Sequence, residues 1–241
     1  MKYYSLEFSI NETVLGNLEQ VKSYENHCHI WEDPLFIDRF FSTKIDLMPK
    51  LSVPVLQANS KITDFITTTG IGFSDGSMVF NSKIKKIFEQ HNCYAIQFFP
   101  TYLLKKSLKH EDYFQNHFYD CPYQELNFKK TEIFLKNSES RKVDFAKRLE
   151  ISDVKEFKAT IESLSYPNTL SIKNAVFIDS MNYDFFRLLY FENGGVGGIV
   201  SNNLKNELER QGCSGIEFRP IDLSLEAWYA SSERENKYGK P

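Results

Sequence analysis

"CSGIEFRP", Cys213–Pro220, decides how this chain is read, because "CYAIQFFP", Cys93–Pro100, writes nearly the same phrase earlier. The offset is 120 residues (213 minus 93). Held at that offset, Ile96 meets Ile216, Phe98 meets Phe218 and Pro100 meets Pro220. Walking back, Glu89 meets Glu209, Lys85 meets Lys205, and Asp64-Phe65 meets Asp184-Phe185; walking forward, Leu103 meets Leu223. The glycine turns between these anchors share a layout but not a register. Gly76 falls opposite Val196, one place short of Gly197.

The matches make sense as one structural unit. "NSKIKKIFEQHN" sets Ile84, Ile87, Phe88 and His91 at helical spacing, and "SNNLKNELERQG" sets Leu204, Leu208 and Gln211 on the equivalent stripe. Asn81 or Ser82 in one copy, and Ser201 or Asn202 in the other, can cap the first free amides. Asn92 and Gly212 align past the last turn, where a left-handed residue is favoured. "YAIQFFP" and "SGIEFRP" read as strands, with Pro100 and Pro220 ending their ladders. Each unit, 64–103 and 184–223, therefore reads strand ("DFITTT", "DFFRLLYF"), glycine turn ("GIGFSDGS", "ENGGVGG"), short strand, helix, strand. The pair reads as a pseudo-duplication of an α/β unit that cannot cover its own apolar face alone. Chance convergence of two strand–helix–strand units would leave the same few identities.

Around the units, "KYYSLEFS", "SVPVLQ", "TEIFLKN" and "NAVFID" read as strands. "SDVKEFKATIESLS" reads as a helix capped by Ser152, with Val154, Phe157 and Ile161 on one face. From Ala230, "ASSERENKYGKP" lacks apolar periodicity, so 230–241 is expected to be a flexible tail. No linker divides the halves. The expectation is one α+β domain over 1–241 with a mixed, mainly antiparallel sheet.

The totals agree with a folded protein. The 241 residues are 41% apolar, with 21 Phe and 13 Tyr, enough for a sizeable core. A net charge of −3 and a pI near 6.0 supply no basic face for nucleic acid, and permit a basic protein partner. The opening "MKYYSLEFSINETVLGN" has no apolar core or cleavage site of a secretory signal, and no run reaches membrane-spanning length. A cytoplasmic location is expected. Cys28, Cys93, Cys121 and Cys213 form no CxxC pair and read as reduced thiols packed as small apolar residues.

Candidate chemistry is sparse. His27 and His29 form an HxH pair, as in metal hydrolases, but the preceding "NLEQVKSYE" is polar and no later His/Asp run completes a site. Gly194, Gly195, Gly197 and Gly198 precede a helix, yet without a phosphate-binding spacing; a turn explains them. "GFSDG", Gly72–Gly76, matches the nucleophile pattern around Ser74, but the helix begins only near Asn81. Cys213 has no motif histidine, and Glu207 with Glu209 reads as a solvated helix face. No catalytic residue, metal or cofactor is therefore expected. Trp31 and Trp228 read as core residues or as partner anchors. Glu217, Asp222 and Glu226, near Trp228, suggest an acidic edge that could meet a basic partner.

The second copy, "FRLLYFENGGVGGIVSNNLKNELERQGCSGIEFRPID", resembles the C-terminal signature of a bacterial family first described as a domain of unknown function. Ile199-Val200-Ser201, Leu204, Gly215-Ile216, Phe218 and Pro220 fill its positions. That family is similar to the immunity proteins of polymorphic toxin systems, which bind a toxin in the cytoplasm and neutralise it. The resemblance covers this segment and implies a non-enzymatic role with a cognate toxin as partner; it carries no catalytic residue. The resemblance transfers no site; the acidic edge of Glu217, Asp222 and Glu226, with Trp228, is the expected contact face. A small enzyme with a metal, nucleophile or phosphate site, and a structural interaction protein, are the alternative readings.

Overall fold

The computed structural model describes residues 1–73, 76–137, 147–195 and 197–240. Alternation makes Tyr3–Phe8 a strand, β1, with Tyr4, Leu6 and Phe8 facing one core and Tyr3 another. A one-turn helix, α1 (Glu12–Leu15), leads to β2 (Val21–Asn26), and a long excursion over 27–51 returns as β3 (Ser52–Leu56). The first unit follows as β4 (Phe65–Ile66), β5 (Val79–Asn81), α2 (Ser82–Glu89) and β6 (Ile96–Lys105), and β7 (Leu108–Phe118) folds back on β6. The middle holds β8 (Glu132–Asn137), β9 (Lys147–Leu149), α3 (Val154–Ser163) and β10 (Asn168–Asn174). The second unit is β11 (Phe185–Phe186), β12 (Ile199–Ser201), α4 (Asn202–Arg210) and β13 (Ile216–Pro220). Helices α5 (Leu225–Tyr229) and α6 (Ser232–Tyr238) close the chain.

The described strands form three sheets, ordered β11-β12-β1-β13, β10-β8-β9 and β2-β3-β6-β7-β5-β4. Pairing between these strands is antiparallel except for β3 with β6, so the fold is α+β with a mixed, mainly antiparallel arrangement.

The two units keep one register. Phe65 pairs Phe80 and Ile66 pairs Val79; Phe185 pairs Val200 and Phe186 pairs Ile199, the same positions at the same offset. Each has a further strand between its second and last, but from different places in the chain. β7 puts Tyr113 opposite Asn81 and Phe114 opposite Pro100, while β1 puts Tyr3 opposite Ser201 and Tyr4 opposite Pro220. The caps match as well. Asn81 accepts from the Ile84 amide and donates to Asp64 Oδ1 (2.7 Å); Ser201 accepts from the Leu204 amide and donates to Asp184 Oδ1 (2.5 Å). Each aspartate then reaches the other unit. Asp64 Oδ2 accepts from the Ser214 amide and hydroxyl, and Asp184 Oδ2 accepts from the Asn92 amide.

One core joins the units: Phe65, Phe80, Ile84 and Phe88 pack with Phe185, Val200, Leu204 and Leu208, and Phe88 stacks on Phe185 at 4.5 Å. Gly215 (φ 92°) lies so close to the Phe65 carbonyl that any Cβ would collide with it. The small sheet and α3 pack Ile133, Leu170 and Phe157 against Tyr3, Phe186 and Ile199 in a second core. The excursion covers the outer face of the six-stranded sheet, where Gln97 brackets the Ile45 backbone and Phe99 joins Phe36 and Ile37.

Several local expectations are corrected. Within the stretch expected to be a flexible tail, Ser232–Tyr238 forms α6, with Arg234 buried and the Tyr238 hydroxyl accepting from the free edge amide of Phe218; residue 241 lies outside the described residues. Asp153, not Ser152, caps α3; the Ser152 amide and hydroxyl instead donate to Glu156. "NAVFID" is no strand past Asn174, because Phe177 lies edge-on against Tyr3 as cover for β1. Pro100 does not end its ladder. β6 continues to Lys105, since Pro100 is exposed and β3 joins β6 only at Leu104 and Lys105. The polar stretch before His27 holds strand β2 from Val21 onward.

Candidate functional site: an acidic face at the C-terminal helices

Glu217 and Trp228 offer nothing to a partner. Glu217 is 0% exposed and directly opposite Glu7 on β1. Two like charges side by side in a sheet need compensation, and two guanidiniums supply it. Arg219 donates to Glu7 (2.6 Å) and Arg234 donates to both oxygens of Glu217 (2.6 and 2.8 Å). Ser9 and the Ile10 amide complete the shell of Glu217. Trp228 is 1% exposed and meets Tyr238 edge-on at 6.2 Å.

Asp222 and Glu226 are exposed. On α5 Trp228 is buried, while Leu225, Glu226 and Tyr229 are exposed, Leu225 42% and Tyr229 38%. Ser224 caps the helix and fixes that presentation. Partial burial raises the Tyr229 hydroxyl above its ordinary value, with Glu7 and Glu217 adding to the rise. Sequence reasoning found the acids here and missed Leu225 and Tyr229. The signal available was an apolar pair four apart in "LEAWY", the spacing of neighbours on one helix face.

The face runs into a cleft of about 370 Å³ where Asp222 stands with Asp179, Tyr3, Phe177, Ile178 and Ile221. Its Tyr3 hydroxyl is buried without a hydrogen-bond partner and pushed up to about 12, first by burial and then by the charges of Asp184 and Glu125. Lys2 also lines this cleft, with Nζ 5.2 Å from the centre of the Tyr4 ring. Among the described residues Asp179, Asp222, Glu226 and Glu233 have no ion-pair partner.

The other candidates separate. His27 bonds the Tyr102 hydroxyl (2.9 Å) while His29 lies 3.8 Å from Glu32, and among the described residues no group of His, Cys, Asp and Glu converges to hold a metal. Trp31 is on the surface, 65% exposed, in an excursion that also exposes Phe41, Leu47 and Met48. Ser74 lies outside the described residues. The glycines of the second turn serve close packing. A side chain at Gly195 would strike Ser5, and one at Gly197 would strike Met78 and Leu6. Both glycine turns line a cleft of about 410 Å³ with Thr68 and Arg187. Burial pushes the Cys213 thiol up to about 12, far from a thiolate nucleophile. Glu207 pairs with Arg210 on the surface of α4, and Glu209 pairs with the buried Lys205 and with Lys237 of α6, so both are structural ion pairs. Among the described residues no helix is long and apolar enough to cross a membrane.

No protein-family model matches this chain, and no curated protein matches its sequence.

Proposed function

We propose that this chain is an immunity protein that neutralises a cognate bacterial toxin in the cytoplasm by direct binding, without catalysis. One observation carries the reading: the segment from Phe186 to Asp222 resembles the C-terminal signature of that protein class. The signature positions Ile199, Val200, Ser201, Leu204, Gly215, Ile216, Phe218 and Pro220 are buried, so they account for a scaffold. The segment ends where α5 begins, at a capped, exposed helix held from beneath by Trp228. A binding protein benefits from such a rigid base, because little ordering entropy is lost on association.

The test is co-expression with the polypeptide encoded immediately upstream, scored for survival and co-purification. Survival with a stable complex is expected. A harmless neighbour that does not co-purify would contradict the reading.

A further inference from the structure

Independently of the immunity reading, we infer that the cleft between the two glycine turns binds a small organic molecule carrying an oxyanion, carboxylate or phosphate, on an apolar body. The cleft offers about 410 Å³, room for such a molecule. Its walls are mostly apolar, with Phe8, Phe73, Leu188, Leu189 and Phe191 lining it. Its polar groups are few, and they choose the ligand. Thr68 lines the cleft and is 3% exposed, and its hydroxyl is buried with no hydrogen-bond partner. A hydroxyl buried in that way is destabilising, and an acceptor brought in by a ligand relieves it. Gly70 and Gly195, one from each turn, line the cleft with backbone amides that donate to nothing among the described residues. Arg187 is the one charged side chain among the described lining residues. It has contacts of its own, yet a guanidinium carries several donors and can share them with a ligand. Neutral donors around a single cation fit an oxyanion, whose oxygens accept several hydrogen bonds at once. Tyr190 lines the same cleft with a left-handed backbone, φ 64°, which is rare for an aromatic residue. The Ile172 amide donates to its carbonyl (2.7 Å) and holds it there. Backbone strain of this sort gathers at ligand sites.

The test is calorimetric binding of simple probes to the purified full chain. Phenyl phosphate and phenylacetate carry the two head groups, and phenylacetamide is the neutral control. At least one anion should bind with a Kd on the order of 1 mM or tighter, and about tenfold better than the amide. Whichever anion binds better identifies the head group. Thr68→Val keeps the shape of the side chain and removes its hydroxyl, and should weaken that anion about threefold or more. Arg187→Met should weaken it about tenfold or more. Equal binding of anion and amide would overturn the oxyanion. Anion affinity unchanged in both variants would put the ligand outside this cleft and overturn the site, as would no binding at about 10 mM probe. Removing an unpartnered hydroxyl leaves the fold intact, so Thr68→Val decides alone if Arg187→Met does not fold.

Discussion

At the scale of single residues, the carboxylates carry the most decisive chemistry. Glu217 and Arg234 are both buried, and removing one partner strands the other's charge. Arg234→Met should cost about 3–5 kcal/mol in urea unfolding, while Arg234→Met with Glu217→Leu should recover much of that loss. Asp64 behaves differently. Burial alone would raise its carboxyl, but the Ser214 amide and hydroxyl, the Asn81 amide and Lys83 bring it below the usual range. A lowered folded value means stability that is present above the unfolded value of 3.8 and lost as pH falls below it. Asp64→Asn should therefore cost about 1–3 kcal/mol at neutral pH. Its unfolding free energy should also vary less with pH below 4 than that of the wild type, as denaturant titrations at several pH values will show.

At the scale of elements, much was legible and the failures share a cause. The helices α2 and α4 were readable from Ile84, Phe88, Leu204 and Leu208, and their caps from Asn81 and Ser201, because both signals lie within a few residues. The helix α6 was not. Its inward groups are Arg234 and Tyr238, and the carboxylate and edge amide that receive them belong to β13; a local pattern cannot register that. The same holds for Glu217, which looked like a surface acid until its buried guanidinium partner was in view, and for Phe177, whose apolar run covers a strand instead of being one. The consequence is testable. A chain ending at Ala230 should lose several kcal/mol of stability, because Glu217 then stays buried without its cation. A truncated chain with unchanged urea midpoint would show that α6 does not anchor the sheet. Asn81→Ala and Ser201→Ala should each cost about 1 kcal/mol.

At the scale of the molecule, the two units share one core and each holds the other's helix exit through Asp64 and Asp184. They should unfold together. Phe88→Ala should remove about 3–5 kcal/mol, and fluorescence and circular dichroism should still report one coincident transition. Separate transitions would mean that each unit is stable alone. Alkali should also act globally. Burial pushes Cys93, Cys213 and Tyr3 up to about 12, and Tyr113, Tyr123 and Tyr238 upward as well. Raised values favour the fold while these groups stay protonated, so stability should hold below the unfolded thiol value of 9.0 and decline as pH climbs toward about 12. The α+β class was legible from strand and helix periods; which acids stay exposed was not, because that depends on which of them the tertiary fold pairs.

The most direct test of the whole account is the stoichiometry of neutralisation. A fixed amount of the upstream-encoded polypeptide, the proposed toxin, would be titrated with the purified protein, and its residual activity measured. Direct, tight binding predicts a straight fall to a sharp endpoint at about one-to-one. Full protection by a small fraction of an equivalent, growing with incubation time, would reveal turnover and contradict a binding mechanism.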